Sequence, residues 1–302
     1  MGTNLPPDEN HLRIGTYNML GGGLDGWTES TTSTCGLSAG RWKGQMELLG
    51  DLRLDVLALQ EARHFDSDDF AMARATGSAL GMDWSLALSP RHGCHLMTLV
   101  RPARVEIRDF LEDAAGTFHH TMSRTRLVAL DTGWEFDLIA AHLASVSPQA
   151  RCEEVKWLTE HGGRDDAILV GDLSCQGVAD PEPADAAWHA FPTELHSRHR
   201  YLNPDGTYGM SDRRPLATLR HAGFRDAVAD LGYAWAPTVG HWSARERLPM
   251  RLDHILPAAG VASRLLDFEV VDTPAARRLS DHLPVTAAIA LPHAPATLGV
   301  AA

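Results

Sequence analysis

An unbroken apolar run, Ala167-Ile168-Leu169-Val170, stops abruptly at Gly171-Asp172-Leu173-Ser174. Four consecutive apolar residues between Arg164-Asp165-Asp166 and Asp172 describe a strand buried on both faces, which belongs in a covered sheet of an α/β protein. An unpaired carboxylate where such a strand leaves the core costs several kcal/mol or neutralises itself, so acids there are more often site residues than packing. Taken alone, Gly171-Asp172 reads equally well as a turn. Its company decides.

The same event recurs along the chain. A strand over residues 12–20 delivers Asn18 to its end, and another over 55–61 ends in Gln60-Glu61. A strand over 135–143 emerges at His142, and Ser280-Asp281-His282 stands before a last strand over 283–291. Asp253 lies inside a strand over 251–256. Between these, the pattern predicts strands over 84–88, 95–100, 105–110, 125–131 and 268–271. Helices are expected over 39–52 with Ser38 as N-cap, over 66–80, from Pro148 to about 161, and over 215–221, with Phe224 opening a further element. Gly21-Gly22-Gly23 and a Thr/Ser run over 28–34 read as a mobile loop. The stretch 176–212, rich in Pro, His, Arg and Gly, reads as a functional loop with a short helix near 184–190.

At 302 residues and 44% hydrophobic content, the chain can bury a large core in one domain. That domain is expected over 12–291, with an N-terminal extension over 1–11 and a flexible Ala/Pro-rich tail over 292–302. A formal charge of −12 disfavours a broad electrostatic grip on duplex nucleic acid, although Arg124-Thr125-Arg126, Arg198-His199-Arg200 and Arg213-Arg214 offer local positive patches. Cys35, Cys94, Cys152 and Cys175 stand far apart without a Cys-x-x-Cys pair, which fits reduced thiols. The start lacks a basic region followed by an apolar core, and no stretch approaches a membrane span. The expectation is a cytoplasmic protein with no membrane and no obligate protein partner.

The strand ends thus offer oxygen ligands, acids and bases, and two imidazoles, without a reactive cysteine or a Gly-x-Ser-x-Gly elbow. Hard oxygen donors suit Mg²⁺ or Mn²⁺ better than zinc. Phosphate ester hydrolysis needs a metal against developing charge, a base for water, and an acid or cation at the leaving oxygen.

Thr16-Tyr17-Asn18, Leu59-Gln60-Glu61, Ala141-His142-Leu143, Gly171-Asp172-Leu173-Ser174, Arg251-Leu252-Asp253-His254-Ile255 and Ser280-Asp281-His282-Leu283-Pro284-Val285 occur in this order. They resemble the motifs of the endonuclease/exonuclease/phosphatase superfamily of metal-dependent phosphoesterases. The resemblance implies a four-layer α/β sandwich, two central mixed β-sheets flanked by helices, with the site at one edge of the sheets. It also implies that Glu61 is the principal Mg²⁺ ligand, for which Mn²⁺ can substitute, with Asn18 and Asp281 assisting. Asp172 would orient or deprotonate the attacking water, and His282, held by Asp253, would bind the phosphoryl oxygen or assist proton transfer. His142 matches a second phosphate-binding or acid histidine.

Each residue has an ordinary alternative. Asn18 reads also as a turn cap, Glu61 as a solvated strand end, His142 as a packed histidine and Asp253 as an ion-pair partner of Arg251 or Arg247. His92, His119, His120, His161 and His196 read as surface or loop groups, and Trp242 more as core than as a base-stacking platform.

Two departures from the family pattern stand out. Ser174 occupies the place of an Asn, whose amide offers more donors than a hydroxyl; the difference is about 1–3 kcal/mol of site organisation. Gly93-Cys94-His95 stands where deoxyribonuclease-like members carry an acid that orients the first histidine, which leaves His142 without that partner. The resemblance implies a phosphodiesterase or nuclease acting on DNA, RNA or a nucleotide-like molecule. The alternatives are a catalytically weakened member that binds a phosphorylated ligand or partner, and a phosphatase of a specialised small molecule.

Overall fold

A computed structural model of the protein describes residues 10–26, 38–113, 115–243 and 247–292. The N-terminal extension up to residue 9, the Thr/Ser run 28–34, Cys35 and the tail from 293 onward lie outside them. Two sheets dominate. The first takes the order β12-β13-β1-β2-β4-β3, from β1 (His11–Asn18), β2 (Val56–Gln60), β3 (Asp83–Ala87), β4 (Leu96–Val100), β12 (Leu265–Val270) and β13 (Val285–Ala290). The second takes the order β11-β8-β7-β6-β5, from β5 (Val105–Glu112), β6 (Thr121–Ala129), β7 (Trp134–His142), β8 (Ala167–Asp172) and β11 (Asp253–Pro257).

Alternate residues explain why the central strands read as continuous apolar runs. Leu12, Ile14, Val56, Ala58, Leu138, Ala140, Ile168 and Val170 fill one core between the two sheets. Their neighbours point outward. Tyr17, Leu57, Leu59, Met97 and Leu99 meet Met46 and Leu49 of α1 (Gly40–Asp51) and Ala73 of α2 (Ser67–Leu80). On the far side, Ile139, Ala141 and Leu169 meet Val155 and Leu158 after α3 (Pro148–Glu154), and Leu216 and Leu219 of α5 (Arg214–His221). Helix, sheet, sheet, helix is the four-layer α/β sandwich expected, with both sheets mixed.

Parallel pairing puts the polar strand ends side by side. β1 runs parallel to β2 with Asn18 opposite Gln60, and β7 runs parallel to β8 with His142 opposite Asp172. β11 is antiparallel to β8, so its first residue, Asp253, lies opposite Asp172. β13 is antiparallel to β1, which brings the preceding 280–282 turn to the same edge.

Several local expectations need correction. Ala39, not Ser38, occupies the N-cap of α1; the Ser38 hydroxyl accepts the Gly40 N–H from one residue further out. The helix from Pro148 tightens after Glu154 into 3-10 turns over Val155–Trp157 and Thr159–His161, and the buried Glu154 carboxylate is held by the His119 and Ala144 amides. Phe224 makes only an isolated bridge to Ala258. The 176–212 excursion holds α4 (Asp185–Ala190), a 3-10 turn over Thr193–Arg198 and a small ribbon of β9 (Arg200–Leu202) and β10 (Tyr208–Ser211). A short α6 (Ala259–Ala262) follows β11. Among the described residues, no helix is long and apolar enough to cross a membrane, and Cys94, Cys152 and Cys175 are free thiols.

Candidate active site

Asn18, at the end of β1, bridges the two sheets. Its Nδ2 donates to Glu61 Oε1 at 3.3 Å and to Asp172 Oδ2 at 3.1 Å, while its Oδ1 accepts the Leu20 N–H at 3.0 Å. Glu61 turns into the site through a left-handed backbone (φ 54), and its Oε2 accepts the Gly21 N–H at 2.9 Å. Ser280 ties the facing turn to β1: its hydroxyl donates to the Asn18 carbonyl at 2.8 Å and lies 3.2 Å from Asp281 Oδ1.

Asp172 is the buried centre. Its Oδ1 accepts the Ser174 N–H at 2.8 Å, and its Oδ2 lies 3.3 Å from His142 Nε2 and 3.7 Å from His282 Nε2. Burial pushes its proton affinity up, but His282 and His142 outweigh that and hold the carboxyl well below its usual range. The histidines respond in the opposite sense. Burial pushes each down, yet Asp253 and Asp172 raise His282 well above an ordinary imidazole, and Asp172 raises His142. Asp253 Oδ2 holds His282 Nδ1 at 2.8 Å, so His282 stands between two carboxylates as an oriented cation. Arg251 is not the partner of Asp253; it pairs instead with Asp180 and Asp226, each at 2.7 Å.

Ser174 sits in the left-handed region (φ 49), with its hydroxyl 3.2 Å from Asp172 Oδ1. His142 has no hydrogen-bond partner at Nδ1 among the described residues. In place of one, the His120 ring stacks on it with centroids 3.9 Å apart and planes 20° from parallel. Burial, then His142 and His119, depress the proton affinity of His120, which keeps this ring neutral beside His142. Cys94, near Glu61, is buried, and its thiol is pushed up to about 12 by burial first and by Glu61.

The strand-end residues Asn18, Glu61, His142, Asp172 and Ser174 therefore meet with Asp253, Asp281 and His282 at one sheet edge. Sequence reasoning missed others. His120 is buried rather than a surface group, and so are His161 and His196, the latter beside the Trp188 and Phe191 carbonyls. Trp242, expected in the core, is 37% exposed. Arg41 of α1 donates to the carbonyls of Met19, Leu20, Leu24 and Leu279, clasping the β1 exit to the 280–282 turn, and Gln45 bonds Met19 and Leu279 as well. The spacing Arg41, Gln45 on one helical face was a readable signal; its target was not.

Two donor sets bear on a cation. Asp172, Asp253 and His282 offer ligand atoms within 4.8 Å of one another. The 2.8 Å contact between Asp253 and His282 uses two of those atoms on each other. Glu61 and Asp281, with Asp172 beside them, line the open cavity and supply the hard oxygens that Mg²⁺ or Mn²⁺ takes. Asn18 presents its amide nitrogen to the carboxylates here, so an oxygen ligand from it requires the flipped amide.

No family profile matches the sequence, and no curated protein matches it significantly. Solved structures do. An endonuclease/exonuclease/phosphatase family protein from Bacteroides thetaiotaomicron superposes with a TM-score of 0.60 at 16% identity, over 92% of this chain and 97% of that one. A mannosyl-6-phosphatase of the same organism gives 0.60 at 15% identity, over 91% and 98%. A 3′ phosphatase from Neisseria, bound to a product DNA hairpin, gives 0.57 at 20% identity, again over 91% and 98%. With its two mixed sheets, flanking helices and chain-long superpositions, the protein has the fold of the endonuclease/exonuclease/phosphatase superfamily.

Proposed function

We propose that the protein is a divalent-metal-dependent hydrolase of phosphoester bonds, and the observation that carries this is the buried Asp172 between two imidazoles beside Glu61 and Asp281. Glu61 and Asp281, with Asn18 in its flipped form, would hold Mg²⁺ or Mn²⁺. Such an ion, when bound, neutralises charge that develops on the phosphoryl oxygens. His142 and His282 are placed to hold those oxygens as cations, and Asp253 keeps His282 in orientation. Asp172 orients the attacking water. As the phosphoryl oxygens draw the imidazoliums, Asp172 loses the charges that depress its basicity and becomes able to take the water's proton.

The solved neighbours act on a mannosyl phosphate and on a DNA 3′ end, which supports trying sugar phosphates, nucleotides and nucleic acid as substrates. The test is hydrolysis of an activated phosphodiester and of a labelled DNA oligonucleotide, with Mg²⁺, with Mn²⁺ and with chelator. The expected result is turnover that disappears with chelator and returns with either ion. Turnover indifferent to chelator would remove the metal from the reading. Absence of both turnover and calorimetric Mg²⁺ binding would favour a ligand-binding protein.

Ser174→Asn is expected to raise kcat by roughly tenfold, since Asn tolerates left-handed backbone better than Ser and adds a donor beside Asp172. Steady-state kinetics check it. A fall in kcat would mean that the serine hydroxyl is required as it stands.

A further inference from the structure

The cavity over Asp172 has one wall that the chemistry above does not use. It encloses about 260 Å³ and is bounded on one side by His142, Asp172 and His282. The same cavity is also lined by Phe191, Leu195, Val239, Leu248, Met250 and Leu252. These six belong to a separate apolar cluster with Trp188, away from the three cores of the sandwich. Leu195 and Val239 are only part-buried and leave surface to whatever occupies the cavity, while Phe191, Leu248, Met250 and Leu252 are buried in the cluster.

The wall is built to stay. Arg151, fully buried, donates from one nitrogen to the Ala144 carbonyl and from another to the Arg198 carbonyl, both at 2.6 Å, which pins the Thr193–Arg198 turn to the end of β7. Gly240 takes φ 97 against residues 248 and 249, and a Cβ there would lie 2.7 Å from the Leu248 backbone, so the two apolar segments touch without side chains between them. His199, on the same lining, is held at a proton affinity of about 3 by burial first and then by Arg151 and Arg198, so it presents a neutral ring.

A cavity of about 260 Å³ lies at the small end of ligand pockets and suits a phosphoryl group and one ring. Resting on the phosphoesterase reading above, we propose that this wall is the alcohol subsite, and that the preferred substrate is a compact phosphomonoester of a flat apolar or aromatic alcohol.

The test compares benzyl phosphate with glycerol phosphate, whose alcohols leave with similar difficulty, and with a 3′-phosphorylated DNA oligonucleotide, by phosphate release with Mg²⁺. Benzyl phosphate is expected to exceed glycerol phosphate in kcat/KM by roughly tenfold to a hundredfold. Leu195→Asp should bring that ratio close to one. Benzylphosphonate should compete for the site more tightly than methylphosphonate by a similar factor, a measurement on the unaltered protein that stands if the variant fails to fold. Equal kcat/KM for the two small esters, equal inhibition by the two phosphonates, or faster release from the oligonucleotide would each overturn the subsite while the phosphoesterase reading survives. No metal-dependent release from any substrate would sink that reading and the subsite with it.

Discussion

Asp172→Asn is expected to lower kcat by about three orders of magnitude while the fold persists. The substitution is close to isosteric, and its retained oxygen can still accept the Ser174 N–H. The other position is where the loss arises. An amide nitrogen in the place of Oδ2 would face three donors: Asn18 Nδ2 at 3.1 Å, His142 Nε2 at 3.3 Å and His282 Nε2 at 3.7 Å. The charge that raises His142 against its burial disappears, so that imidazole loses its proton and its hold on a phosphoryl oxygen. Water loses its orienting acceptor at the same time. Single-turnover kinetics beside circular dichroism and a thermal midpoint would check the result. A fall in kcat of less than tenfold with intact structure would place Asp172 outside the chemistry.

The second large effect concerns the residue just before it. Gly171 lies in the β7–β8 ladder opposite Ala141, at φ 139, and a Cβ built there would sit 1.9 Å from the Ala141 carbonyl oxygen. That oxygen cannot retreat, because Ala141 is itself packed against the outer helices. Gly171→Ala is therefore expected to cost about 4 kcal/mol or more and to give little soluble protein, since both the backbone angle and the strand spacing must change. Urea denaturation reads this directly. A loss below about 1 kcal/mol would mean that β7 and β8 part more readily than their register implies.

What was legible in the sequence follows from which forces are local. A strand buried on both faces is apolar and ends where a polar group is tolerated, so Glu61 and Asp172 announced themselves at the ends of such runs, while Asn18 and His142 closed strands of more mixed pattern. Asp253 was legible only through its neighbours in an ordered set of motifs, because an acid that begins an antiparallel strand leaves no pattern of its own. His120 was not legible. It reaches His142 from the loop before β6, and nothing around residues 118–121 tells a buried ring from an exposed one. Arg151 and Arg41 stand on helices, where a charge is ordinarily solvated, yet both direct their donors to backbone carbonyls outside their own helices. Glu154 was hidden for the same reason: its carboxylate is captured by the His119 and Ala144 amides.

The excursion over 176–212 is fastened close to the sheet at one end and to the β7 exit at the other. Near its start, Arg251 from the edge of β11 grips Asp180 and Asp226, with all three side chains buried. Toward its far end, Arg151 holds the Arg198 carbonyl. Between these two posts the cost of closing a longer or shorter loop grows only slowly with length, while Trp188 and Phe191 stay packed on Leu248, Met250 and Leu252. If the apolar wall is the alcohol subsite proposed above, the groups that act on phosphate stand on the sheet ends while part of what chooses the molecule stands on this fastened excursion, and a new preference can be written there as an interchangeable cassette.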